Sequence, residues 1–383
     1  MIDVDVAAEA YRRMDEHLVA HAQECYGWDQ RSACLLHPGQ KCAISSRRHD
    51  DEADSDEEDR PAPITECIGG AMCTPWSAFG RQLGLADPAT KSWACWINEA
   101  ATIPYDFVWF ENSWLFPMQL FDQKLALKNH VIWVTAGPEH LGWPMRRRRV
   151  LAVAISRQSL VWVGPTTPQA VQCAFLDVFK ARCVAQADLF INIDSAEQRR
   201  QQVRRMSQTR GVWFRPGQPV DYRSLLPRRS RDFGDENMEL QRQSGSNDDC
   251  FIADLSQDPI KRPRGSRSNT WLPAAMHSSE VFCLKPGPEK FTPGEMQFAH
   301  GWPLTSTSLG DKYRDCVSFG FEQLSHAEQR RLSGNGMHLP VVSAWMLFVK
   351  THVLRIDVLQ KLAPPVPVKG NNDGNDEDDG MDA

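Results

Sequence analysis

Short apolar runs and amphipathic stretches alternate through the first 165 residues of the chain. Ile64 to Ile68 is an apolar run closed by two glycines, the length and ending of a strand. Lys91 to Ile103 places apolar residues three and four apart, which predicts a helix with one buried face. FVWF at Phe107 to Phe110, VIWV at Val131 to Val134 and VLAVAI at Val150 to Ile155 are unbroken runs of β-branched and aromatic residues. Such runs predict strands buried on both faces. Gln119 to Leu127 reads as a helix between two of them. This order of strands and helices predicts βαβ units and a mainly parallel sheet, an α/β fold. In such sheets ligands gather outside the carboxyl ends of the strands. The loop holding Cys73 lies at one such end, and Glu111-Asn112 directly follows another.

The character changes at about residue 166. One helix is predicted near Gln169 to Ala181, and Arg-, Gln- and Ser-rich stretches with frequent breakers follow to about residue 280. Apolar helical spacing returns at Val341 to Val353. The expected organisation is a first domain over 1–165, with an acidic disordered loop at about 46–62. A smaller irregular lobe follows over 166–285, then a returning segment with a helix over 286–362, and an acidic disordered tail over 363–383.

The 383 residues are 42% hydrophobic, enough for a large core, and carry a net charge of −6. The two acidic tracts hold much of the negative charge. Between them lie basic clusters at Arg146 to Arg149, Arg199 to Arg205, Arg228 to Arg231 and Lys261 to Arg267, so the folded middle can meet a polyanion. No apolar run reaches bilayer length, and MIDVDVAAEA has no signal-peptide pattern. Eleven scattered cysteines, an odd count, point to reduced thiols inside a cell. Cys25, Cys34, His37 and Cys42 lack the CxxC pairs of structural zinc sites, so no metal is expected.

Cys73, Glu111 and the arginines Arg147 and Arg149 fall at or near successive strand ends. A thiolate is a soft nucleophile, a carboxyl can protonate or hydrogen-bond a ring nitrogen, and a guanidinium can hold a carbonyl oxygen. Together these groups suit addition of sulfur to C6 of a pyrimidine, which makes C5 nucleophilic. Taken singly, Cys73 also reads as a buried core thiol, Glu111 as a helix cap and Arg146 to Arg149 as a solvated charge run.

Five segments, in order, resemble the motifs of the cytosine-C5 DNA methyltransferases. GGAMCTPWSAFG around Cys73 is similar to the family's GGPPCQGFS nucleophile loop, and Glu111-Asn112-Ser113 to its ENV. GWPMRRRRV, from Gly142 to Val150, resembles GxPQxRxRV. FTPGE at Phe291 running on to Gly301-Trp302-Pro303 resembles LTPRExxxxxGWP, and Gly334-Asn335-Gly336-Met337 resembles GNSV. The resemblance covers about residues 64 to 353. It implies a Rossmann-like methyltransferase domain, with 166–285 as its target-recognition lobe.

The resemblance also implies roles. The cytosine is flipped out of the duplex. Cys73 adds to C6, Glu111 bonds N3 and the exocyclic amine, Arg149 contacts the carbonyl, and Arg147 supports the site. The cofactor is S-adenosyl-L-methionine, with Asp3, Asp5, Met72 and Asn335 as its expected contacts. Thr74, Ser77 and Arg81 are expected to touch DNA, and Trp76 to line the base pocket. The partner is DNA, with RNA as the variant. The expected location is the nucleus, for which KRPRGSR at Lys261 to Arg267 is an import candidate. The family's first motif, a DLFSGxGG loop after the first strand, has no counterpart here, so the chain is expected to start one strand late. Met72 replaces the usual proline and Met145 the usual glutamine. The competing expectation is a methyltransferase-like module without catalysis, binding nucleic acid or another partner.

Overall fold

The computed structural model describes residues 31–33, 41–43, 63–70, 73–78, 80–183, 185–191, 196–213, 221–245, 250–261, 267–268, 271–274, 276, 278–285, 289–302 and 324–362. Asp3, Asp5, Met72, the tract at 46–62 and the tail at 363–383 lie outside them. So do 262–266 of the import candidate, Cys25, Cys34 and His37, and the side chain of Cys42.

A short hairpin, β1 (Arg31–Ala33) with β2 (Lys41–Ala43), comes first. The main sheet has the order β3 (Glu66–Gly70), β4 (Phe107–Ser113), β6 (Arg149–Ser156) and β5 (Asn129–Ala136). β3 and β4 run parallel, while β6 is antiparallel to both β4 and β5. Three of the four strands therefore point one way, as expected, and β6 is inserted in reverse. The reversal brings the start of β6 to the carboxyl ends of its neighbours. Arg149 stands opposite Ser113 of β4 and Ala136 of β5. An arginine that opens one strand thereby meets a glutamate that nears the end of another.

Alternation along each strand divides its side chains between two cores. Val108, Phe110, Val150, Ala152 and Ala154 face one side. There they pack on Trp93 and Ile97 of α1 (Thr90–Thr102) and Phe121 of α2 (Gln119–Leu125). Phe107, Trp109, Leu151, Val153 and Ile155 face the other side. Their cover is α3 (Pro168–Phe179) and α8 (Leu339–Thr351), through Val171, Phe175, Trp345 and Phe348. Both helix periods follow the sequence. α3 starts where Thr167 accepts from the Ala170 N–H, followed by a proline that needs no partner for its nitrogen. The sequence reading assigns this helix to the second lobe. Its buried Val171 and Phe175 instead pack on the main sheet, beside the returning α8. A small antiparallel pair, β7 (Leu160–Trp162) with β12 (Val353–Arg355), ties the same return to the first domain.

The second lobe has more order than its composition suggests. It holds α4 (Ala196–Arg210), α5 (Arg228–Gln243) and an antiparallel sheet. The sheet order is β11 (Glu289–Lys290), β10 (Val281–Lys285), β8 (Phe251–Asp254) and β9 (Arg267–Ser268). Asp254 is buried, and burial raises its carboxyl above the ordinary range although Ser256, Ser279 and Glu280 donate to it. The lobe joins the arginine segment by a parallel bridge, Met145 with Leu272. The Arg146 N–H donates to the Leu272 carbonyl at 2.9 Å, and the Leu272 N–H to that of Pro144.

The FTPGE segment forms the start of α6 (Pro293–Ala299) as a reciprocal cap. Thr292 accepts from the Glu295 N–H, and the Glu295 carboxylate accepts from the Thr292 N–H. Glu295 is fully buried because Arg199 of α4 also pairs with it. The Arg199–Arg205 cluster is therefore not wholly a surface charge run: its first member is a structural partner inside the fold. No described helix is long and apolar enough to cross a membrane.

Candidate active site

The loop after β3 folds back on itself. The Cys73 carbonyl accepts from the N–H groups of Trp76 and Ser77, and the Thr74 carbonyl from that of Arg81. A Cβ on Gly80 would lie 1.9 Å from the Thr74 oxygen, so the loop closes this tightly only with glycine there. Cys73 is half-buried and a free thiol. Thr74 and Ser77 are also half-buried, and the exposed Arg81 pairs with Asp87 at 2.5 Å. Trp76 departs from expectation. It is 7% exposed and meets Trp93 and Phe116 edge-on, so its indole is core rather than pocket lining.

β4 runs three residues further than FVWF, so Glu111, Asn112 and Ser113 belong to the strand rather than to a loop after it. Glu111 shares the strand face of Trp109, toward the α8 side. Its Oε1 lies 3.1 Å from Arg149 Nε, with both side chains largely buried. Even so, Glu111 Oε1 accepts no hydrogen bond. A buried carboxylate oxygen with an ion-pair partner but no donor is unusual and keeps acceptor capacity for something else. Arg149 spends one Nη on the Arg148 carbonyl, 2.9 Å away.

Arg147 is 3% exposed. Its guanidinium donates to the carbonyls of Gly334 and Gly336, at 3.2 and 2.7 Å. These two residues flank Asn335, the last residue of α7 (His326–Asn335). The GNGM segment is thus fastened to the first domain through an arginine of the fourfold run, while Asn335 itself is exposed. Burial pulls Arg147 down to about 9, helped by the charge of Arg149 and opposed by Glu111 and Cys73, so it stays charged at neutral pH. The influence of Cys73 and Glu111 on one guanidinium means that all three groups lie within electrostatic reach. The structure therefore brings Cys73, Glu111, Arg147 and Arg149 to one end of the sheet.

Behind Arg147 stand two residues the sequence does not single out, His300 and His338. Their rings lie 6.3 Å apart, and Trp143 meets His338 edge-on. His300 Nδ1 contacts the Met296 carbonyl at 2.6 Å, while its Nε2 and both nitrogens of His338 have no hydrogen-bond partner. Burial, then repulsion from Arg147, holds His300 well below its ordinary value and His338 at about 3. The Ala299 backbone favours the charged form of His338 slightly, but its geometry falls short of a hydrogen bond and burial dominates.

These histidines predict acid sensitivity. A histidine depressed in the fold binds its proton in the unfolded chain first, so stability falls as pH drops below about 6.5. Each contributes up to about 1.4 kcal/mol per pH unit over that window. Urea unfolding at pH 7.5, 6 and 5 should show a steady loss, and His338→Gln should flatten the slope.

No protein-family model matches the chain, and no curated protein matches it in sequence. The chain is similar to solved methyltransferases. The methyltransferase EhMeth of Entamoeba histolytica is 13% identical, with 75% of this chain and 77% of that one covered and a TM-score of 0.40. A mutant DNMT2 of Spodoptera frugiperda is 15% identical, over 75% and 80%, with a TM-score of 0.37. The Dnmt2 methyltransferase of S. pombe is 14% identical, over 75% and 78%, with a TM-score of 0.36. Likeness this distant carries no weight for substrate or activity, which rest on the residues themselves.

Proposed function

We propose that the chain is a cytosine-C5 methyltransferase-like enzyme that acts on DNA through a covalent bond from Cys73 to the base. The observation that carries this reading is the buried, hydrogen-bond-free Oε1 of Glu111, within electrostatic reach of a half-buried thiol and two arginines. A flipped cytosine offers that oxygen two partners, its exocyclic amine and a protonated N3. Both would be bound best once sulfur has added to C6 and electron density has moved onto the ring. Glu111 would then favour the adduct over the free base, which is catalysis by differential binding.

In the forward step the Cys73 thiolate forms a bond to C6. The C5–C6 π electrons leave C5 nucleophilic, and N3 takes a proton shared with Glu111. Arg149 would steady the carbonyl oxygen, and its ion pair holds Glu111 in line. After transfer, a base takes the C5 proton, the C6–S bond breaks and N3 returns its proton to Glu111, which restores the ring and the thiolate. Arg147 keeps its positive charge beside Glu111 and Cys73 throughout.

S-adenosyl-L-methionine would supply the methyl group as an electrophile. The described residues at the end of β3 suit such a group. Ile68 is 56% exposed at the sheet edge, and the bare Gly70 lets Met337 and Glu111 come close to its backbone. With the exposed Asn335, these residues would hold the cofactor next to the base. Asp3, Asp5 and Met72 complete the proposed set. Thr74, Ser77 and Arg81, on the loop after Cys73, would contact the DNA, together with exposed arginines of α4 and α5. A DNA substrate puts the chain where the DNA is, in the nucleus of a cell that has one.

Labelled methyl transfer tests this reading. With radiolabelled S-adenosyl-L-methionine, cytosine-containing duplex DNA should gain label at C5. Label on RNA alone would overturn the choice of DNA, and label on neither would overturn the enzyme.

A further inference from the structure

Trp114 follows Ser113 at the carboxyl end of β4, three residues beyond Glu111. The chain turns sharply there, the Phe116 N–H donating to the Ser113 carbonyl at 2.9 Å. Many of the chain's tryptophans are buried, with Trp93 and Trp345 at 1% and Trp109 at 3%, but Trp114 is 48% exposed. Leaving a half-bare indole costs burial energy that a core position would recover, so its place calls for a reason. Across the ladder Ser113 stands opposite Arg149, which puts Trp114 beside Arg148. The Arg148 guanidinium lies 5.8 Å from the indole centre. Arg148 is exposed, and no carboxylate pairs with it among the described residues. Its neighbours in the run are committed, Arg147 to backbone carbonyls and Arg149 to Glu111. Arg148 thus has a free charge held over an accessible aromatic ring, one residue from the catalytic arginine.

An accessible indole with an unspent guanidinium is the chemistry that grips single-stranded nucleic acid: bases stack on the ring, and a phosphate takes the charge. Resting on the proposed function, we infer that Trp114 and Arg148 form a clamp for the nucleotide next to the flipped cytosine. The indole stacks on that nucleotide's base, and Arg148 pairs with its phosphate. Both are positioning residues. They hold the strand while the neighbouring base is in the pocket and take no part in bond making.

Binding of a fluorescein-labelled single-stranded oligodeoxynucleotide, followed by anisotropy, tests the clamp apart from catalysis. Trp114→Ala should weaken binding about tenfold, whereas Trp114→Phe, which keeps a stacking face, should stay within about threefold of wild type. Arg148→Gln should lower the slope of log affinity against log salt by about one. In methyl transfer, Trp114→Ala should raise KM and leave kcat nearly unchanged. Equal affinity for Trp114→Ala and wild type, or equal weakness of the Ala and Phe variants, would overturn the clamp. If wild type binds the oligonucleotide but transfers no methyl group, the enzyme reading falls and the clamp stands. If wild type does not bind it, the clamp falls, and methyl transfer to duplex DNA decides the enzyme reading separately.

Discussion

Replacing Cys73 by alanine is expected to lower methyl transfer to cytosine by at least about 10³-fold, with almost no effect on folding or oligonucleotide binding. The sulfur is half-buried and not part of either main core. The backbone bonds that shape its loop come from the Cys73 and Thr74 carbonyls, which alanine leaves intact. Only the bond to C6 is lost, and no other described group near Glu111 can replace it. Cys73→Ser should be nearly as inactive, because a hydroxyl beside Arg147 is far less ionised than a thiol. The check is a pair of measurements on each variant, kcat/KM for methyl transfer and Kd for DNA. A loss of affinity that matched the loss of rate would show a binding role instead.

The second large effect is expected at Arg147. Arg147→Met keeps the apolar stem but removes the donors for the Gly334 and Gly336 carbonyls. It also removes the positive charge that faces Glu111 and Cys73. Leaving these carbonyls without their donors costs about 1–3 kcal/mol each. The damage should centre on the hold between the GNGM segment and the sheet. Activity should fall by about 10² or more, since Glu111 loses part of its electrostatic frame. Arg147→Lys should recover the charge but not the fork that spans two carbonyls, so stability should return only in part. Urea unfolding together with kcat/KM decides this. An Arg147→Met protein within 1 kcal/mol of wild type and fully active would mean that the fastening is incidental.

Much of the first domain was legible in the sequence because its elements are apolar and regular. FVWF, VIWV and VLAVAI are strands, and each is longer in the structure than its apolar core, since ladder bonds continue into the polar residues at the ends. Glu111 lies inside β4 for that reason. α4 and α5 were not legible. Their Arg- and Gln-rich windows hold few apolar residues, and α4 is secured by tertiary contacts such as Arg199 with Glu295. α3 was legible as a helix but not as part of the first domain, because its partners Trp345 and Phe348 come about 170 residues later. The candidate site was legible through motif order alone. The partners of Arg147 and Arg149 were not, because Arg149 meets Glu111 only through the reversed start of β6 and Arg147 is held by the carbonyls of a distant turn. Trp76 shows the opposite failure: it lies three residues from the proposed nucleophile Cys73, but its ring falls on the core side of the loop.

The central claim is that a bond forms between the Cys73 sulfur and C6 of a cytosine. Duplex DNA carrying 5-fluorocytosine tests it most directly, because fluorine at C5 cannot leave as a proton does and the adduct is held. With S-adenosyl-L-methionine present, a denaturation-resistant protein–DNA complex should form, and peptide mass spectrometry should place the crosslink at Cys73. No complex from a folded, DNA-binding chain, or a crosslink on any residue other than Cys73, would contradict the account.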